Sequence, residues 1–194
     1  YTTLFRSHHA CRSEMWLPGQ SQRACSYVDT LEDFSANTGK PSMHLFGHTH
    51  AYSRGQSRDM THIWINVAPA GGDIDYWGEY EMADYDEFQV TRDEYGYSLI
   101  TVTSGPSASI KVTRKSGGDG TFYAGYSDET VNDDFTVKID AIAPEKPVIF
   151  GPESKGSTYV QLSASPFADP DASFHLETHW QISETDDFSG KVTD

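Results

Sequence analysis

The rhythm of apolar and polar positions changes several times along the chain. Residues 1–7 read as extended and end on His8-His9. Residues 10–24 show no period and contain Pro18-Gly19, a turn signal, so a loop is expected there. From Ser26 onward, Tyr27, Leu31 and Phe34 recur at i, i+4 and i+7, the spacing of one helical face. Ser26 with Asp29 fits a capping box, and Gly39-Lys40-Pro41 stops the helix. Residues 43–46 form a short apolar run suited to a buried strand, which ends at Gly47-His48-Thr49-His50. A polar loop at the C-terminal end of a strand is where α/β proteins usually build a site.

Beyond this point the pattern turns to β. Ile63, Ile65 and Val67 alternate. Strands are expected near 99–102, 110–114, 122–126 and 135–139, with Gly and Asp marking turns, notably across 116–120. Residues 141–147 contain two prolines and no period, the mark of a linker. Residues 148–150, 159–164 and 175–183 then resemble the first three strands of a sandwich centred on Trp180, with His175 and His179 facing solvent. The expected class is α/β (α+β): a domain over 1–140, a linker over 141–147, and a partial β-sandwich module over 148–194. Both ends read as cut.

Composition narrows the function classes. The net charge is −15, from 14 Lys+Arg against 29 Asp+Glu, and the basic residues do not cluster beyond the short 111–115 stretch. This argues against a nucleic-acid backbone as partner. An aromatic content of 13% argues against disorder. No apolar run approaches the ~20 residues of a membrane span. Cys11 and Cys25 could close a loop worth roughly 3 kcal/mol, or could remain free thiols. The acidic composition, the paired cysteines and the appended sandwich together point to a secreted or cell-surface location.

Histidine is the commonest protein ligand for Zn, Fe and Mn, and an i, i+2 pair in a Gly-led loop is by itself a weak sign of a metal site. Here Phe5-Arg6-Ser7-His8 precedes Gly47-His48-Thr49-His50 by one helix and one strand, and the second motif continues as Ala51-Tyr52-Ser53-Arg54. In these motifs the chain resembles the calcineurin-like metallophosphoesterases, most closely the purple acid phosphatase branch. The resemblance extends over about residues 1–140, through Tyr95-Gly96-Tyr97 and 132–137. It departs at Phe5, where Val is usual, at Ala10, where Pro is common, and at His9, which directly follows the first ligand position.

The resemblance implies a site with two metal ions (Fe, Zn or Mn) that hydrolyses a small phosphomonoester or phosphodiester. His8 and His48 would ligate one metal and His50 its partner, with the loop extended through Thr49. His9, Tyr52 and Arg54 would brace the loop or face substrate. His44, in the strand before the motif, is expected to be a core or edge residue, and His62 is expected to be structural. The acidic residues Asp73, Asp75, Glu79, Glu81, Asp84 and Asp86 suit a solvated or gating loop better than a Ca²⁺ loop. The family's earlier Asp and Asn-His motifs do not occur in this sequence, so the expectation is an enzyme portion inactive by itself. The alternative is a non-catalytic surface protein that keeps the scaffold and uses the sandwich, for instance on a polysaccharide.

Overall fold

The computed structural model describes residues 3–58, 60–118, 130–155, 159–171, 178, 180–185 and 192–193. The chain forms two compact units, Tyr1–Ala141 and Ile142–Asp194. Among the described residues it is predominantly β with one α-helix, an α+β arrangement.

In the first unit β1 (Thr3–Arg6), β2 (Ser42–Phe46), β3 (Tyr52–Gln56), β4 (His62–Val67) and β5 (Phe88–Arg92) form a five-stranded sheet ordered β1-β2-β4-β3-β5. β1, β2 and β4 are mutually parallel, while β3 runs antiparallel to β4 and β5. A second sheet is an antiparallel meander of β6 (Tyr95–Thr103), β7 (Ser109–Gly118) and β8 (Thr130–Lys138). Three of the four strands expected between 99 and 139 therefore stand. The one expected at 122–126 lies outside the described residues. β3 and β5 were not anticipated, because Tyr-Ser-Arg-Gly-Gln and Phe-Gln-Val-Thr-Arg carry little apolar alternation.

The helix α1 spans Gln22–Thr38. It starts four residues ahead of the expected Ser26, with Ser21 in extended geometry at its N-cap. Ser26 is instead interior, and its hydroxyl donates to Arg23 O at 2.8 Å. The end is as expected: Gly39 caps the helix at φ 65°, a left-handed conformation open to glycine without Cβ strain. The buried stripe is Ala24, Val28, Leu31 and Ser35. Of the expected face only Leu31 belongs to it, since Tyr27 turns outward and its ring meets Phe5 at 5.1 Å.

Side chains on the first sheet alternate between two cores. Met43, Tyr52, Ile63 and Ile65 meet Ile110, Val112 and Phe135 of the second sheet. Phe46, Trp64 and Phe88 pack with Ala24 and Val28 on the helix side. That side is also unusually polar. Ser42 Oγ donates to Leu31 O at 3.0 Å and lies 2.7 Å from His62 Nδ1. The Ser7 hydroxyl donates to His9 O and so accepts from His44 Nε2 at 2.8 Å. His44 and His62 are fully buried, and His44 Nδ1 and His62 Nε2 have no hydrogen-bond partner among the described residues.

The second unit contains the hairpin β9 (Ile149–Lys155) and β10 (Val160–Ala164), irregular between Gln161 and Ser163, and the short pair β11 (Ile182–Ser183) and β12 (Val192–Thr193). Trp180 lines a hollow with Ile149, Ala164 and Phe167. Phe150 and Val160, from the strands expected to pack around Trp180, are instead about half exposed, at 49% and 46%. None of the residues of this unit whose burial is described is buried, so the expected sandwich core around Trp180 is not closed by them. His175 and His179 lie outside the described residues.

Burial pushes His44 from 6.5 down to about 4, and burial with the neighbouring His44 does the same to His62. In the unfolded chain both protonate near 6.5, so the folded state binds fewer protons below that pH. Stability is therefore complete above about pH 6.5 and is lost as pH falls toward about 4, by roughly 3 kcal/mol per histidine. Urea unfolding followed across this window should show the decline. His62→Gln, which can still donate to Ser42, should make its slope shallower by one proton; an unchanged slope would contradict this account.

Candidate metal centre

β1 and β2 lie side by side and parallel, with Arg6 opposite Leu45. The pairing continues past both strands: Ser7 N–H donates to Leu45 O at 2.9 Å and Gly47 N–H to His8 O at 3.1 Å. These two bonds place the loops carrying His8 and His48 together at the C-terminal edge of the sheet.

Three imidazoles meet there. The ring centroids of His8 and His48 are 5.0 Å apart, those of His9 and His48 4.3 Å, and those of His8 and His9 4.9 Å. One nitrogen from each of the three falls within 4.8 Å of the others, close enough to share one metal ion. His8 and His9 are exposed and His48 half-buried, so the cluster is open to solvent. Burial, with the neighbouring His9, His8 and His50, holds His48 below its ordinary pKa, while Asp75 acts against this. A neutral imidazole keeps the lone pair that a metal requires.

His9, expected at most to brace the loop or face substrate, thus stands in the cluster. His50 is outside this group of three, though close enough to influence His48. The loop, expected to be extended through Thr49, instead turns at His48, where φ is 71°. Along an extended backbone residues i and i+2 share a face, so an extended loop would not by itself direct His48 and His50 to different metals. A non-glycine residue in the left-handed conformation of His48 needs outside support. Asn66 donates from its amide to Thr49 O and Thr49 Oγ1, both at 2.8 Å. Asp75 accepts from His50 N–H at 2.7 Å and returns its own N–H to His50 O at 3.0 Å.

Trp16 lies over His48 at 5.3 Å and beside Tyr80 at 5.4 Å. Asp75 belongs to the loop expected to be solvated or gating, yet it is buried and fastens the His50 backbone. Neither Asp75, Asn66 nor Trp16 carries a local sequence signal, because each acts on a loop remote in the chain.

Tyr52 and Arg54 open β3 and point toward the second sheet. The Tyr52 hydroxyl donates to Asp133 Oδ2 at 2.7 Å, Arg54 Nε donates to the same oxygen at 2.6 Å, and the guanidinium lies 5.2 Å from the Phe135 ring. With Arg54 only 4% exposed, its charge is committed to Asp133. Cys11 and Cys25 form a disulfide, Cα–Cα 4.5 Å, which ties the loop after His8 to the first turn of α1.

Compared with family models and with curated proteins, the chain matches none.

Gly19 supplies the close approach that seats Trp16 and Thr49: a Cβ there would lie 2.4 Å from the indole and 2.9 Å from Thr49 Cγ2. Gly19→Ala should therefore displace the Trp16–His48 contact and cost about 1–3 kcal/mol. Gly71→Ala, with open space around it, should cost little. Near-ultraviolet circular dichroism and urea unfolding of both variants check the expectation.

Proposed function

We propose that the first unit is part of a metal-dependent phosphoesterase of the calcineurin-like, purple acid phosphatase-like kind, with a site organised by His8, His48 and His50 and joined by His9. The observation that carries this reading is the convergence of the His8, His9 and His48 nitrogens within 4.8 Å at the ends of two neighbouring parallel strands. The residues fit a borderline, imidazole-preferring metal: the donors are all nitrogen and the cluster is solvent-accessible. His8 and His48, with His9, would hold one ion, and His50, whose backbone Asp75 clamps, would serve a second. Metal bound there supplies Lewis acidity and an activated water for attack at phosphorus. The chain itself contributes orientation, through the Asn66 and Asp75 clamps and the Trp16 ring packed against His48.

A complete two-metal site also needs oxygen ligands, and the described residues bring no carboxylate into the group of three histidines. Hydrolysis of a phosphomonoester or phosphodiester is accordingly proposed for the intact protein. The Cys11–Cys25 disulfide supports a secreted or cell-surface location. Among the described residues, no helix is long and apolar enough to cross a membrane.

Zn²⁺ titration by calorimetry on this chain, with metal analysis of the intact protein, tests the reading. The chain should bind Zn²⁺. His48→Ala should weaken it by at least about 100-fold, because even losing a residue that only supports a ligand costs 10–100-fold. His50→Ala should spare this ion but lower the metal content of the intact protein, and both variants should depress hydrolysis of bis(p-nitrophenyl) phosphate there. Unchanged metal content and rate in both variants would remove the proposal.

A further inference from the structure

A cavity of about 500 Å³ lies between the 74–86 loop and β5, the edge strand of the first sheet. No residue of the histidine cluster lines it. Its lining includes the apolar side chains of Trp77, Met82, Phe88 and Val90 and the acidic residues Glu14 and Asp84. None of the described residues lining it is a Lys, Arg or His.

Glu14 is only 6% exposed. One of its oxygens accepts from Tyr85 N–H at 3.2 Å and the other from the Thr91 hydroxyl, so the group is held in place. A carboxylate has about four lone-pair sites, and these two bonds leave capacity for further donors. Burial raises the Glu14 pKa, the Thr91 and Tyr85 hydrogen bonds partly oppose this, and Asp84, within hydrogen-bonding reach, adds to it. Two carboxyl groups this close repel unless a proton or a cation comes between them. Water can satisfy Asp84, which is exposed, but reaches Glu14 poorly.

The chemistry of the walls selects among cations. Ca²⁺ asks for six to eight oxygen ligands in a compact shell, and half of this lining is hydrocarbon. A volume near 500 Å³ is that of a small-molecule site. An ammonium group donates several hydrogen bonds and is drawn to an indole face. We propose that this cavity binds a small organic amine, its ammonium held between Glu14 and Asp84 and its carbon skeleton lying on Trp77, Met82 and Phe88. The site is independent of the histidine cluster, so it stands or falls apart from the phosphoesterase reading.

Calorimetry and tryptophan fluorescence with 2-phenylethylamine, its neutral counterpart 2-phenylethanol, and Ca²⁺ near neutral pH provide the test. The amine should bind one per chain and the alcohol about tenfold more weakly or less, as expected for losing a charge-assisted hydrogen bond. Asp84→Asn should reduce amine affinity by about tenfold and Trp77→Ala by about two- to fivefold. Both positions are exposed, so these variants decide the question even where Glu14→Gln fails to fold. Equal binding of alcohol and amine, amine binding indifferent to Asp84→Asn, or uptake of Ca²⁺ in place of the amine would overturn the proposal.

Discussion

The parallel pairing of β1 with β2 is the constraint from which the rest of the first unit follows. Parallel neighbours cannot be joined by a tight turn and need a crossover, which here is the 10–21 loop and α1. The crossover covers one face of the sheet and leaves both strand ends at the same edge. Ser7 and Gly47 extend the ladder beyond the strands by one bond each, so His8 and His48 are neighbours because backbone hydrogen bonds make them so. The Cys11–Cys25 disulfide then fixes the loop to the helix it leads into.

The two faces of the central sheet solve burial differently. Toward the second sheet the filling is Ile, Val, Met and Phe together with buried ionic groups: Asp133 joins Arg54 and the Tyr52 hydroxyl, and the buried Arg114 lies 4.7 Å from the Tyr52 ring. Removing one partner from such a cluster strands the other as a buried unpaired charge, which is strongly destabilising. Toward the helix, serines and histidines take positions that aliphatic residues could fill. The His44–Ser7–His9 chain of hydrogen bonds runs from this interior to the histidine loop. Neutral imidazoles in the core hold that connection in place and make the fold sensitive to acid.

The acidic 73–86 loop is more than a solvated surface. On one side Asp75 fastens His50 and Tyr80 meets Trp16 beside His48. On another, Trp77, Met82 and Asp84 line the cavity that contains Glu14. Its carboxylates therefore act singly, through a backbone clamp in one place and a paired carboxyl in another, which is why no regular spacing links them.

What the sequence by itself determined is local. The αL stop at Gly39, the buried run of β2, the alternation of β4 and the strands of the meander follow from period and turn chemistry acting over a few residues. The placement of His8 and His48 after successive strands was legible for the same reason. The helix start was misread because Gln22–Cys25 shows no period of its own, and β3 and β5 were missed because their polar residues are held by neighbours far along the chain. Only the tertiary structure decided that His9 joins His8 and His48, that His48 turns left-handed while Asn66 and Asp75 hold its loop, that Tyr52 and Arg54 face the second sheet, and that Glu14 meets Asp84. Each of these depends on groups far apart in sequence whose partners become neighbours only when the crossover and sheet stacking are complete.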